Sequence, residues 1–202
     1  MPSVLIGTPA YGGLVTVPYL KSLMEIRDSF DDVDFLVTSG ESHITRGRNN
    51  IVTTFLATNF DTLAFIDADI QISVADFGKL KAMQGVRGAA VACKTPDRSE
   101  RLSIYPVLSR SEMPAEPFTV EFLGSAVLFI PRSVFVQLQE WSDPYDDPIV
   151  GQSYTYFWDG VVGNDWLSED YGFCSTCRQA GIEIWCEPTV QVSHYGTMDW
   201  RF

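Results

Sequence analysis

Histidine is nearly absent: the 202 residues hold two, His43 and His194, so a multi-histidine metal centre is excluded. Basic side chains are also few, 14 Lys and Arg against 26 Asp and Glu, a net charge of −12. A general nucleic-acid binder needs a basic face to displace counterions from phosphates, and adhesion to anionic lipid needs one as well. Neither class fits this balance. Cysteine occurs only at 93, 174, 177 and 186, too few and too unevenly spaced for a disulfide scaffold. Cys174-x-x-Cys177 admits a zinc or redox reading, yet no second pair at matching spacing accompanies it. Buried, reduced thiols acting as small hydrophobes are the expectation. No apolar run approaches the roughly 20 residues needed to span a bilayer. The opening Met1-Pro2-Ser3-Val4-Leu5-Ile6-Gly7 lacks the basic and long apolar stretches of a secretory signal, so a cytoplasmic location is expected.

What is present suffices for a core. Apolar residues make up 46% and aromatics 13%, and the length suits one domain. Residues 4–8 read as a strand ended by Pro9 and Gly12-Gly13. Pro18 suits the first turn of a helix carrying Leu20, Leu23, Met24 and Arg27 along one stripe. A strand at 34–39 precedes a helix carrying Ile51, Val52, Phe55 and Leu56, and residues 62–66 form a third strand running into Asp67. Ser73 can cap a helix reaching Met83, and 88–93 reads as a fourth strand. Such alternation predicts an α/β sheet with helices on its faces. Residues 94–121 read as a long loop. Strands at 120–122 and 126–130 flank Gly124-Ser125, and 133–139 reads as helix. Residues 145–166 read as an aromatic loop, and a helix over 169–180 is closed by Gly181. Late strands at 182–185 and 190–193 make the expected sheet mixed. The ending, Met198-Asp199-Trp200-Arg201-Phe202, follows His194 so soon that excision from a longer chain is compatible with it.

The strongest chemical signal is Phe65-Ile66-Asp67-Ala68-Asp69. An apolar strand delivers two carboxylates at its carboxyl end, where ligands bind in open α/β sheets. Residues i and i+2 of an extended segment point one way, and like charges so placed call for a cation between them. Hard oxygen ligands select Mg²⁺ or Mn²⁺; His194, following a strand, would as a third ligand favour Mn²⁺. Thr45-Arg46-Gly47-Arg48-Asn49-Asn50 forms a cationic spot leading into the second helix, suited to an anionic ligand. Gly7-Thr8-Pro9-Ala10-Tyr11-Gly12-Gly13 occupies the first strand-to-helix turn but matches neither the dinucleotide nor the P-loop pattern. Tyr11 could stack on a base or pack in its loop. Glu169 and Asp170 open the late helix, where acids complement the helix dipole. Yet Asp170 shares a face with Trp166, Phe173, Cys177 and Ala180, and an inward carboxylate wants a partner. Tyr145, Tyr154, Tyr156, Phe157, Trp158, Trp166 and Tyr171, with Asp159, Asn164 and Asp165 among them, suit a sugar or a minor core.

In their order these motifs resemble GT-A fold glycosyltransferases: Gly7 to Tyr11, Arg46-Gly47-Arg48-Asn49, Asp67-Ala68-Asp69, Gly124-Ser125, Ser168-Glu169-Asp170 and His194. The chain is also similar to glycosyltransferase domains of large algal DNA viruses, for which the cytoplasm would be the host's. The resemblance implies one GT-A-like catalytic domain: a nucleotide-binding half to about residue 93 and an acceptor and metal-completing half from about 94. It implies a UDP-sugar donor, a glycan or other hydroxyl acceptor, and Mn²⁺ (or Mg²⁺) held by Asp67, Asp69 and His194. Thr8, Ala10, Tyr11 and Arg46 would hold the nucleoside, with Asp67, Ala68 and Lys94 at the donor. Gly124, Ser125, Trp158, Asp165 and Glu169 would face the sugar or acceptor. Asp170 would act with Asp69 in catalysis, as base in an inverting reaction or as orienting group in a retaining one, the course the resemblance favours. The alternatives are a haloacid-dehalogenase-type phosphatase, which puts its aspartates on the first strand, a sugar nucleotidyltransferase, and a non-catalytic carbohydrate-binding module. For the nucleotidyltransferase, a basic loop after the first strand is missing: no Lys or Arg precedes Lys21.

Overall fold

The computed structural model describes residues 2–94, 101–106, 108 and 110–196. The chain begins with β1 (Val4–Ala10), α1 (Val17–Ser29), β2 (Val33–Ser39), α2 (Ile44–Leu56) and β3 (Thr62–Ile66). It continues through β4 (Ile70–Ile72), α3 (Val74–Ala82), β5 (Val86–Gly88), β6 (Ile104–Tyr105), β7 (Phe118–Val120), β8 (Phe122–Leu123) and β9 (Val127–Pro131). Then come α4 (Arg132–Leu138), β10 (Pro144–Asp147), β11 (Gly151–Tyr154), β12 (Gly160–Val162) and β13 (Asp165–Leu167). The last described elements are α5 (Glu169–Gln179), β14 (Ile184–Cys186) and β15 (Val192–His194).

Seven strands form the main sheet in the order β2-β1-β3-β9-β5-β14-β7. β2, β1 and β3 run parallel, β9 runs antiparallel to both β3 and β5, β14 is parallel to β5, and β7 is antiparallel to β14. The sheet is therefore mixed, and β9 from late in the chain lies between two early strands. β3 is buried along its whole length, as the apolar run Leu63-Ala64-Phe65-Ile66 requires of a strand covered on both faces. Tyr19, Leu23 and Ile26 of α1, with Phe77 and Leu80 of α3, pack on Ile6, Ala64, Ile66 and Phe129. Opposite, Ile51 and Phe55 of α2, Phe135 of α4 and Phe173 and Cys177 of α5 pack on Leu63, Phe65, Leu128 and Ile130. Each large side chain so buried contributes about 1.5–3 kcal/mol.

Several local expectations change. In α1, Leu23 alone of the predicted stripe is buried; Leu20 and Met24 face solvent, and Arg27 pairs with exposed Asp34. Tyr19, Leu23 and Ile26 have equally helical spacing, and it is they that take the core side. The predicted strand at 88–93 is instead β5, which ends at Gly88. A Cβ on Gly88 would lie 2.2 Å from the Val127 carbonyl oxygen, so only glycine allows this approach to β9. Beyond it the chain leaves the sheet, and Ala92 makes an isolated bridge to Leu102. The expected loop at 94–121, partly outside the described residues, contains β6 and β7. The expected aromatic loop at 145–166 forms two hairpins, β10–β11 and β12–β13. Trp166 lies in β13, exposed, and not on the face of α5. α5 ends as predicted at Gly181, whose φ of 73° is the left-handed conformation glycine supplies. All four cysteines are free, and Cys174, Cys177 and Cys186 are buried. Among the described residues no helix is long and apolar enough to cross a membrane. Residues 198–202 lie outside the described ones.

Candidate functional site

β3 ends at Ile66, and residues 67–70 turn back: the Ile70 amide donates to the Asp67 carbonyl at 3.0 Å. The extended i, i+2 geometry therefore does not hold, and the two carboxylates take different partners. Asp67 Oδ1 and Oδ2 accept from Arg48 Nη2 at 3.0 and 3.3 Å. Asp69 accepts from Lys94 Nζ and lies 3.5 Å from His194 Nε2. The antiparallel pairing of β15 with β4 sets His194 opposite Ile70, and the Tyr195 amide donates to the Asp69 carbonyl at 2.8 Å. A histidine from late in the chain is thus delivered to the tip of β3.

His194 Nδ1 lies 2.8 Å from the Ala92 carbonyl, which can only accept, so Nδ1 carries a proton. The lone pair of a neutral ring then faces the Asp69 carboxylate from Nε2, an arrangement that needs a cation or a second ring proton between them. The hydrogen bond to Asp69 raises the His194 pKa above its ordinary value, burial opposing. Burial would lift the Asp69 carboxyl, but His194 and the Lys94 ammonium outweigh it and hold its pKa at about 2. Among the described residues, no group of three or more His, Cys, Asp or Glu side chains stands in position to hold a metal. Asp67 is engaged by Arg48, so among the described residues the expected three-ligand set is not assembled.

Arg48 is the residue that sequence reasoning passed over in favour of Arg46. Both lie inside α2, not in a loop before it. Arg48 is 3% exposed; besides Asp67 it binds Glu169, Nε donating to Oε1 at 3.2 Å. Burial opposes its charge, yet the two carboxylates outweigh burial and raise its pKa above the usual value. Burial also lifts Glu169 above the usual carboxyl range, with Arg48 pulling the other way. Arg48 Nη1 is buried with no partner, as is Ser125 Oγ. Each such orphan costs on the order of 1–3 kcal/mol. Arg46, by contrast, is half exposed and bound to Glu41. Asn49 clasps the later half of the chain: its Nδ2 donates to the Phe157 carbonyl at 2.9 Å and its Oδ1 accepts from the Phe157 amide at 2.8 Å.

Arg48, Asp67, Ser125, Glu169, Asp170 and His194 line a cavity of about 140 Å³, with Gly124, Cys93 and Ser103 on its wall. A second cavity of about 340 Å³ is lined by Cys93, Arg101, Ser103, Trp166, Asp170 and Tyr171. Asp170 is common to both. Its Oδ1 accepts from the Ser168 hydroxyl and from the Tyr171 amide, the latter at 2.9 Å.

The other predicted site residues lie elsewhere. Thr8 is fully buried, its hydroxyl bonded to Tyr19 and donating to the Ile66 carbonyl at 2.7 Å, so nothing is left for a nucleoside. Ala10 is buried, whereas Tyr11 presents an exposed ring. The Ala68 carbonyl accepts from the Thr16 amide and hydroxyl at the start of α1. Trp158 donates from Nε1 to the Thr176 hydroxyl at 2.9 Å and packs against Gly172, lining neither cavity. Asp165 is exposed in the β12–β13 hairpin. Two of the seven late aromatics are core: Tyr156 and Phe157 are fully buried, and Phe157 stacks on Phe173 at 4.7 Å, whereas Tyr145, Tyr154, Trp158 and Tyr171 are half-buried and Trp166 is exposed.

No protein-family model and no curated protein matches the chain. Solved structures do. "Crystal Structure of A197 from STIV" superposes with a TM-score of 0.61 at 22% identity, over 96% of this chain and 86% of that one. GalNAc-T7, solved with UDP, GalNAc and Mn²⁺, superposes with a TM-score of 0.52 at 12% identity, over 96% of this chain and 44% of that one. A glycosyltransferase involved in the glycosylation of the major capsid of PBCV-1 matches 69% of this chain and 64% of that one. At 10% identity and a TM-score of 0.40 it is too distant to add to the fold. The mixed sheet covered by helices on both faces is that of the GT-A fold.

Proposed function

We propose that the chain is a glycosyltransferase moving a sugar from a nucleotide-sugar, a UDP-sugar foremost, to a hydroxyl acceptor such as a glycan. The observation that carries this is Asp170: one carboxylate on the wall common to two cavities at the carboxyl end of a central GT-A strand. A group so placed can meet a donor on one side and an acceptor on the other. The UDP, GalNAc and Mn²⁺ of GalNAc-T7 lend support through the common fold alone.

The donor set fits a divalent cation in part. Asp69 and His194 supply one carboxylate and one imidazole whose tautomer is set by Ala92, a combination suited to Mn²⁺ more than Mg²⁺. Asp67 is engaged by Arg48, so among the described residues two such ligands stand there rather than the expected three. When bound, the ion supplies charge stabilisation for the departing nucleoside diphosphate. Lys94, on Asp69, is a second cation at hand for phosphate oxygens. Tyr11 offers the nucleoside base a ring to stack on. Ser168 and the Tyr171 amide hold Asp170 by Oδ1, which leaves Oδ2 for the acceptor hydroxyl. In an inverting reaction Asp170 takes that hydroxyl's proton; in a retaining one it orients the hydroxyl. The retaining course is the one proposed, on the Asp69–His194 pairing, and anomeric NMR of the product decides it. A carbohydrate-binding module is less well served, because Tyr156 and Phe157 of the aromatic crowd are core and Trp158 is committed to Thr176 and Gly172.

The test is thermal unfolding with Mn²⁺ and UDP, followed by UDP release across a nucleotide-sugar panel. Mn²⁺ and UDP together raise the melting temperature, and Asp69→Ala removes the rise. No rise in the parent protein with both present overturns the proposal.

A further inference from the structure

The smaller cavity raises a question that sugar transfer alone does not answer: which sugars fit. At about 140 Å³ it falls well below the roughly 300–1,000 Å³ of pockets that enclose a whole drug-sized ligand, and suits a single ring. Two residues of its lining, Arg48 and Ser125, are at least nine-tenths buried, and each holds a polar atom with no partner, Nη1 and Oγ respectively. Buried polar atoms are seldom left so unless a ligand completes them. The charge on the wall narrows the choice. Arg48 is the one cation among the described lining residues, against the carboxylates of Asp67, Glu169 and Asp170, with His194 set aside. Two of those carboxylates already share the guanidinium. A third brought in by a ligand would meet two like charges around the one guanidinium, within a partly desolvated space. A hydroxyl meets no such penalty. It can accept from Arg48 Nη1 and exchange a bond with Ser125 Oγ.

Resting on the glycosyltransferase reading, we infer that this cavity receives the transferred sugar and selects an uncharged monosaccharide, its hydroxyls completing Arg48 Nη1 and Ser125 Oγ, against sugars bearing a carboxylate. Arg48 and Ser125 are then specificity-determining residues, acting on the sugar and not on the nucleotide.

The experiment measures calorimetric affinities, with Mn²⁺ present, for UDP, UDP-glucose, UDP-galactose, UDP-glucuronate and UDP-galacturonate. In each pair, glucose with glucuronate and galactose with galacturonate, the neutral sugar differs from its uronate by a hydroxymethyl in place of a carboxylate. The neutral member of at least one pair is expected to bind about tenfold or more tightly than its uronate, a difference of about 1.4 kcal/mol. Ser125→Ala is expected to reduce that preference to about threefold or less while leaving affinity for UDP alone unchanged, and Arg48→Lys is expected to reduce the preference as well. Ser125→Ala removes one hydroxyl and keeps the assay informative should Arg48→Lys unfold. Uronates that bind as well as the neutral sugars overturn the inference and leave the transferase reading standing. So does a preference that both variants retain. Failure of UDP itself to bind overturns the transferase reading, and this inference with it.

Discussion

Gly172, in the interior of α5, separates two rules that give opposite signs. Helix propensity alone predicts that Gly172→Ala stabilises by about 0.8–1.0 kcal/mol. Packing predicts the reverse. A Cβ built there would lie 1.9 Å from the Trp158 carbonyl oxygen and 3.0 Å from its carbon, against an ordinary C···O approach of about 3.3–3.6 Å. Backbone, not a flexible side-chain tip, must move by more than an ångström, at the upper end of the roughly 1–3 kcal/mol typical of overpacking. Subtracting the propensity gain leaves a net loss of about 2 kcal/mol, or about 4–8 °C in melting temperature for a chain of this size. Gly78, within α3, is the control: its nearest neighbour to a new Cβ is the Phe30 ring at 3.5 Å, an ordinary contact. Gly78→Ala should therefore stabilise, by about 0.5–1 kcal/mol. Thermal and urea unfolding of both variants measure this. A Gly172→Ala protein as stable as the parent, or more so, refutes the close seating of α5 on Trp158. With it would go the placing of Glu169 and Asp170, which α5 carries into the site.

His194→Ala should weaken Mn²⁺ binding and leave the fold intact; unchanged affinity by calorimetry removes the imidazole from the site. Lys94→Met withdraws a half-exposed ammonium from Asp69 and should tighten Mn²⁺ binding about two- to fivefold, the range an exposed ion pair supports. Weaker binding would show instead that Lys94 assists the ion. Burial pushes the Cys174 and Cys186 thiols up to about 12 and Cys177 well above its ordinary value. In a native-state titration with a disulfide reagent these three should stay silent until denaturant is added, while half-buried Cys93 reacts. Prompt reaction of more than one thiol contradicts the packing of α5 and β14.

Much of the framework was legible residue by residue. The apolar residues 63–66 announced a strand running into Asp67, Ser73 its helix start and Gly181 its helix end, because each depends on neighbours a few positions away. Helical spacing put Asp170 on one face with Phe173 and Cys177, which are buried, while Asp170 itself is half-buried and Trp166 lies off the helix. The choice between Arg46 and Arg48 was within reach too. Arg48 lies three and four residues before Ile51 and Val52, on the buried stripe of α2, once that helix is known to begin at Ile44. What periodicity could not supply was partnership. Whether Asp67 and Asp69 share one cation or separate depends on a turn after β3 and on what reaches it. Arg48 arrives from 19 residues away to hold Asp67. His194, placed by the pairing of β15 with a strand outside the main sheet, comes to Asp69. Glu169 joins Arg48 across 121 residues and Phe157 joins Asn49 across 108.

The amino-acid order thus decided which segments bury and where strands and helices end, since burial is written in short spacings. Which charge meets which, and which buried polar atoms are left for a ligand, was decided only when distant segments were packed together. A carboxylate's partner is whichever cation the completed fold brings within a few ångströms of it.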